Sequence, residues 1–291
     1  MLDLRSIETF LWVARLGGFG LAARHLNTTQ PGISQRIAAI EEDLGIRLFE
    51  RKSRRVALTA KGRELLPFAE QMLRLRSEML KVAGSPEALR GQVRIGVSET
   101  IVHTRLVKLV ERIHATYPAI TLEIEVDTSR NLRDHLLEGG LDMAFLLGHV
   151  IEPNVRNIDF VRYPLAWVAS PKLSLPRGAI PLREIARFPV ITYLKDTRPH
   201  LDVRELLLRN GVTDFKIYGA ASLSTIVRLC TEGMGISVVP PVVITRELKS
   251  KELRLVDVTG GKLPEMNFAI SYLSGTGTHL LEAIAELALR P

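Results

Sequence analysis

The chain has 291 residues, a net charge of +7, 46% hydrophobic and 24% charged side chains. That composition excludes wholesale disorder, and the length favours two or three compact units. A single cysteine, no run of eighteen apolar residues and no basic segment leading into an apolar stretch at the N-terminus argue against a disulfide scaffold, a membrane span and a secretory signal, so a cytoplasmic protein is expected.

The charge is uneven. Residues 1–63 hold eleven Lys/Arg against six Asp/Glu, so five of the seven surplus charges sit in the first fifth of the chain. This implies a polyanion-binding N-terminal module on a nearly neutral body. A soluble basic domain without such a role is the alternative that charge alone leaves open.

In chain order, a first helix carries Leu4, Ile7, Phe10, Leu11 and Ala14 on one face, with Asp3 as N-cap and Gly17-Gly18 as stop. A short second helix is expected over 21–26 and breaks at Asn27. Thr28-Thr29 offer an N-cap for a third helix with Pro31 in its first turn, where the missing N–H is harmless. Ile33, Ile37, Ile40 and Leu44 line its inner face. Pro31, Ser34, Gln35 and Ala38 fall on the other side, small or polar enough for a helix entering a DNA major groove. The amide of Gln35 can pair bidentately with adenine.

Next, Leu48-Phe49 and Val56-Leu58 flank a basic loop, Arg51, Lys52, Ser53, Arg54 and Arg55, which reads as a β-hairpin with a cationic tip. Thr59 then caps a long helix. Leu65, Phe68, Met72, Leu75, Met79 and Val82 repeat at spacings of three and four, a heptad seam that suits a dimerisation helix. Packing on its own domain is the other reading, and Pro67 removes one backbone donor. Gly84, Ser85 and Pro86 end the helix.

From Gln92 onward, strands alternate with helices. Strands are expected over 93–97, 122–126, 143–147, 190–193, 216–218, 236–239, 253–256 and 268–272, and helices over 101–116, 132–137, 200–209, 224–231 and 278–289. The alternation predicts parallel sheets with helices on both faces, in two α/β subdomains joined by crossings near 161–163 and 264–267. In such folds a ligand sits at the carboxyl ends of strands, beside helix N-termini.

The run from Phe19 to Gly62, FGLAARHLNTTQPGISQRIAAIEEDLGIRLFERKSRRVALTAKG, resembles the winged helix-turn-helix of LysR-type transcriptional regulators. The alanines of the second helix, Gln30-Pro31 and Ser34, Ile40-Glu41, Leu44-Gly45, Leu48-Phe49-Glu50-Arg51 and Leu58-Thr59 carry the likeness. The body is similar to that family's effector domain, more loosely, through Gly233–Ile236 and the Val-Val-Pro that follows.

The resemblance implies an all-α winged helix-turn-helix over 1–58, a linker and dimerisation helix over 59–89, and an α/β effector domain over 90–291. That domain consists of two Rossmann-like subdomains of the periplasmic-binding-protein type, 90–162 with 266–291 and 163–265. The resemblance also implies a DNA-binding regulator that works as a dimer or tetramer on double-stranded promoter half-sites, controlled by a small metabolite bound between the subdomains. Base or groove contacts fall to Gln30, Pro31, Ser34 and Gln35 and a minor-groove contact to Arg54. Thr28, Thr29, Arg36, Lys52 and Arg55 are the candidates for phosphate.

For the effector pocket the resemblance implies Ser98, Glu99, Thr100, Thr128, Tyr193 with its following loop, and Ser222. Thr128 and Ser222 read equally as helix or turn caps. Glu99 is at odds with an anion site, since a carboxylate there repels an acid ligand unless it points outward. His103, Lys195 and Arg198 offer positive charge or are plain surface residues.

Enzyme chemistry is not expected. Cys230 lies in an apolar helical run and reads as a core thiol, the histidines lack metal-ligand spacing, and no glycine-rich phosphate loop is present, so neither cofactor nor metal is expected. A regulator without small-molecule input, and a solute-binding protein or enzyme on the same body, remain the alternatives.

Overall fold

The computed structural model describes residues 3–50, 56–82, 91–176, 178–274 and 278–290. Helix α1 (Leu4–Leu16) begins where Asp3 Oδ1 accepts from Ser6 N at 2.7 Å and ends at Gly17 in the left-handed region. Helix α2 (Phe19–His25) starts two residues earlier than its apolar pattern suggests. Asn27, at φ +49°, turns the chain into α3 (Gln30–Leu44), which Thr29 caps. Phe10, Leu11, Ile33, Ile37 and Ile40 are buried together, with Leu48 and Phe49 of the wing. Leu44 is 40% exposed, so the apolar face of α3 closes one turn before the helix does.

Glu41 fastens α3 to the wing. Its Oε1 accepts from Leu48 N at 2.7 Å and its Oε2 from Arg47 Nη1 at 2.7 Å. Phe49 and Leu58 pair as an antiparallel bridge, and Glu50 N donates to Ala57 O. The expected cationic tip, with Lys52, Arg54 and Arg55, lies outside the described residues, as does the expected break at Gly84, Ser85 and Pro86.

Helix α4 (Ala60–Val82) is capped by Thr59, whose Oγ1 accepts from Gly62 N at 3.0 Å. The backbone passes so close here that a Cβ on Gly62 would meet Leu48 O at 2.3 Å. Ala69 and Leu73 are buried against α1, and Arg15 reaches Glu70 at 3.0 Å. The expected seam divides. Leu65 is partly buried in the same core, whereas Phe68, Met72, Leu75 and Met79 face outward, at 62% and 72% exposure for the first and last. The side chain of Val82 lies outside the described residues.

The body begins with β1 (Gly91–Val97), α5 (Glu99–Ile101), a π-helical turn (Val102–Leu106), α6 (Val107–Thr116), β2 (Ile120–Val126), α7 (Ser129–Leu137), β3 (Met143–Leu147) and β4 (Val155–Tyr163). It continues through β5 (Ala166–Ala169), β6 (Ile180–Pro181), α8 (Leu182–Ile185), β7 (Val190–Tyr193), α9 (Arg198–Arg209), β8 (Ile217–Ala220), α10 (Leu223–Thr231) and β9 (Ile236–Val239). Then come α11 (Thr245–Lys249), β10 (Arg254–Val256), β11 (Val258–Thr259), β12 (Met266–Leu273) and α12 (His279–Leu289). One five-stranded sheet has the order β2-β1-β3-β12-β4 and the other β10-β5-β9-β7-β8.

The sheets are mixed rather than wholly parallel. Strands β1, β2 and β3 run parallel, as do β7, β8 and β9, but β12 is antiparallel to β3 and β4, and β5 is antiparallel to β9 and β10. Strands β4 and β5 escape the sequence pattern. β4 is an edge strand with Arg156, Asp159 and Arg162, and its pairing to β12 shifts register at Phe268/Ala269, which breaks the period-two alternation. β5 has only four residues. The chain crosses between the sheets from β4 to β5 and returns from β11 to β12, so the cleft between them is spanned twice.

The N-terminal helices dock on the first sheet. Leu273, Leu137 and Val155 join the core around α1, and a Cβ on Gly139 would lie 2.8 Å from Leu16. His25 is sandwiched there, its ring 3.6 Å from the Trp12 ring centroid, with Nδ1 3.1 Å from Gly139 O. Arg94 grips Asp142 through Nη2 at 2.7 Å and Nε at 3.2 Å, beside the same imidazole. A proton on His25 Nδ1 serves Gly139 O and leaves the Arg94 guanidinium to the carboxylate. Burial pushes the imidazole below its usual value, more strongly than the attraction of Asp142 raises it, so the 3.9 Å approach to Asp142 is not an ion pair at neutral pH.

Candidate DNA interface and effector cleft

The outer face of α3 is exposed. Gln30, Pro31, Ser34, Gln35 and Ala38 are exposed, and the side chains of Gln30, Ser34 and Gln35 make no hydrogen bond among the described residues. Thr29 is engaged as N-cap, its Oγ1 accepting from Gly32 N at 3.3 Å, yet it stays exposed beside them. Thr28 and Arg36 are half-buried. The apolar residues of α3 that face inward set the helix angle, so these five outer positions share one surface of the shape that enters a major groove. Arg54, Lys52 and Arg55 lie outside the described residues.

The second site is a cleft of about 380 Å³ between the two sheets. It is bounded by the carboxyl ends of β1, β2, β7 and β8 and floored by Met266 and Phe268 of β12. All six sequence-derived candidates line it: Ser98, Glu99, Thr100, Thr128, Tyr193 and Ser222. Of the three cations considered, only Arg198 lines it, and its Nε is taken by Asp202 at 2.7 Å. His103 approaches Glu99 at 3.8 Å from behind.

The cleft polar groups are mostly engaged already. Thr128 caps α7, accepting from Asn131 N at 3.4 Å, and Ser222 caps α10, accepting from Thr225 N at 3.4 Å. Thr100 Oγ1 and Tyr193 Oη lie 3.4 Å apart, and burial pushes the Tyr193 phenol up to about 12, so it stays protonated. Ser98 is different. Its residue is 8% exposed and its Oγ has no partner among the described residues.

Glu99 points across the cleft. Its Oε1 accepts from Ser222 Oγ at 3.2 Å and its Oε2 from Leu223 N, the first amide of α10. The loop after Tyr193 supplies Leu194, Asp196 and Thr197, while sequence reasoning missed Ser129, whose Oγ accepts from Leu147 N at 2.9 Å, and Pro199 at the start of α9. A Thr-Arg-Pro step opening a helix was a readable signal for the latter.

A helix with an unoccupied polar face beside a wing, carried on a body whose two sheets enclose a ligand-sized cleft, defines a DNA-binding regulator. Comparison with known proteins agrees. A profile described as bacterial regulatory helix-turn-helix protein, lysR family, matches residues 4–63, and one described as LysR substrate binding domain matches residues 86–290. The chain belongs to the LysR family of transcriptional regulators.

A relative from Mycobacterium leprae, named a probable hydrogen peroxide-inducible genes activator, is 28% identical over 281 residues, covering 94% of this chain and 89% of the relative. The transcriptional regulator SoxR of Arthrobacter sp. is 25% identical over 239 residues, covering 82% of this chain and 80% of that one. Full-length OxyR from Pseudomonas aeruginosa shares the fold with a TM-score of 0.61 at 21% identity, covering 99% of this chain and 95% of its own. CbnR in complex with its target DNA shares it at 0.54 and 19% identity, covering 99% and 98%. These relatives are regulators of transcription rather than enzymes. Among the described residues no helix is long and apolar enough to cross a membrane, and no cluster of three metal-binding side chains occurs.

Proposed function

We propose that this regulator reads its operator with the outer face of α3 and is switched by a small molecule held between its two sheets. The observation that carries the ligand half is Ser98. A buried hydroxyl without a partner is costly, and the cleft beside it has the size of a small-molecule site. In this reading Gln30, Pro31, Ser34 and Gln35 meet base edges or groove walls. Thr28, Thr29, Arg36, Lys52 and Arg55 meet phosphate, and Arg54 enters the minor groove. The division into a DNA-binding unit over 1–58, a linker helix over 59–89 and an effector body over 90–291 belongs to the same proposal, as does a cytoplasmic location.

Assembly follows from α4. Phe68, Met72, Leu75 and Met79 form an exposed apolar stripe on a helix whose opposite side is already packed, which supports a homodimer, or a tetramer built from it, placing two reading heads on two half-sites.

Peroxide, named for the M. leprae relative, does not transfer through a thiol. The single cysteine, Cys230, is buried, its Sγ 3.5 Å from Val168 O, and burial pushes it up to about 11, so no thiolate is on offer. The test is thermal unfolding of the full chain against a panel of small metabolites, followed by DNA binding with and without each hit. A cleft ligand raises Tm saturably and changes DNA affinity. A panel without a single saturable hit, or hits that leave DNA affinity untouched, would sink the effector half.

A further inference from the structure

The cleft contains one arrangement that its role as an effector site does not require. The N-terminus of α10 carries free amides and the positive end of a nine-residue helix, a seat suited to an anion. That seat is filled, and its occupant comes from the other sheet: Glu99, 123 residues away from Ser222 in sequence, uses one carboxylate oxygen on Ser222 Oγ and the other on Leu223 N. Next to it, Ser98 Oγ is buried in the cleft wall with no partner among the described residues. The charged seat is therefore satisfied from within, and the group left wanting is a neutral hydroxyl.

Most of the rest of the lining points the same way. Asp127 and Asp196 add negative charge, Arg198 holds Asp202 through Nε, and the other lining cation, Arg130, is exposed at the start of α7. The floor and walls are apolar, with Val126, Leu147, Met266 and Phe268. A carboxylate entering this space either faces Glu99 across a short, poorly screened distance or must evict it from α10.

We infer that Glu99 is a tethered occupant of the anion seat, which excludes carboxylate ligands and leaves the cleft to an uncharged, largely apolar small molecule that hydrogen-bonds Ser98. The inference rests on the effector reading above and names the ligand class for it. It also makes Glu99 a strap between the sheets, since its carboxylate ties the start of α5 to the first amide of α10.

The experiment is chemical rescue on the full-length protein, with sodium acetate exchanged for sodium chloride at constant ionic strength. Glu99→Ala should unfold at lower temperature than wild type, and acetate should raise its Tm saturably, whereas acetamide should not. Wild type and Glu99→Gln should show no acetate response, because a side chain still fills the seat. Glu99→Ser, whose hydroxyl is too short to reach Leu223 N, takes the same place in the comparison if the alanine variant does not fold. A second arm sets benzoate against benzamide on wild type, with benzamide giving the larger shift wherever either binds.

A folded Glu99→Ala or Glu99→Ser protein that ignores acetate overturns the inference, and so does wild type stabilised by acetate or benzoate at least as strongly as by the amides. Acetate rescue can succeed even if no metabolite ever changes DNA binding. In that case the effector reading fails while the tethered carboxylate stands.

Discussion

The outer face of α3 and the cleft between the sheets use polar residues in opposite ways. Gln30, Ser34 and Gln35 stand exposed, without hydrogen-bond partners among the described residues. In the cleft, Glu99, Thr128, Ser129 and Ser222 are spoken for by the protein itself, and Ser98 is the exception. An exposed polar face costs nothing to leave unpaired, because water serves it. A buried group must be paired or it destabilises the fold. Free groups on α3 therefore say little alone and gain meaning from their shared face, and the Ser98 hydroxyl gains its meaning from the cleft beside it, since the hydroxyls of Thr192 and Tyr272 are also buried with no partner among the described residues.

The largest expected effect concerns what places two reading faces on DNA. Met72→Lys with Met79→Lys puts charge on the exposed stripe of α4 without touching Ala69 or Leu73, which hold the helix to its own domain. Light scattering should report a monomer, and operator affinity should collapse. A double variant of undiminished mass would remove α4 as the dimer helix.

Next in size is the joint between α3 and the wing. Glu41→Ala leaves Leu48 N without its acceptor, at about 1–3 kcal/mol for a buried unpaired group. Urea unfolding should show this loss, and the cleft ligand response should be intact in the folded fraction. Equal stability of the variant and wild type would mean that the wing is held by other contacts.

A smaller effect comes from the seam between the reading head and the body. The folded value of His25 lies below the unfolded one, so the ring refuses a proton that the unfolded chain accepts. The stability present above about pH 6.5, the ordinary imidazole value, is then lost as pH falls, by at most about 1.4 kcal/mol per pH unit for one proton. The groups around the ring are Trp12, Arg15, Arg94, Asp142 and the carbonyl of Gly139. His25→Gln should flatten the profile relative to wild type between pH 7 and 5. Parallel profiles would place the titrating group elsewhere.

The smallest effect is the most diagnostic for the cleft. Ser98→Ala removes a hydroxyl with no partner among the described residues, so the ligand-free protein should not be destabilised, while the Tm shift given by a bound ligand should shrink. Thr128→Ala is a poorer probe, because Thr128 caps α7 and its loss costs about 1 kcal/mol whether or not it meets a ligand. A Ser98→Ala protein that unfolds earlier than wild type would show that its hydroxyl is paired in solution.

The same contrast explains what could be read in advance. The N-terminal domain is legible because its signals are local. Asp3, Gly17, Thr29 and Gly45 cap helices within a few residues of where they stand, and the inward isoleucines of α3 fix its outward face. The strand ends that carry Ser98, Thr128 and Tyr193 follow from alternation too. What was not legible depends on distant partners. Whether Glu99 points outward or into the cleft turns on Ser222 and Leu223, far along the chain. Strands β4 and β5 are short, charged or bulged, and they reveal themselves only by pairing with β12 and β9. The docking of His25 on Gly139 and Asp142 leaves no periodic trace.

The central claim is that the outer face of α3 reads base sequence, and Gln35 tests it most directly. The measurement is a binding titration of wild type and Gln35→Ala on a duplex selected by the protein from a random pool and on a scrambled duplex, at several salt concentrations. The account predicts a loss of about 1–3 kcal/mol on the selected duplex, relaxed preference at one base pair, little change on the scrambled one and an unaltered salt slope. Equal weakening on both duplexes, or none on either, would contradict it.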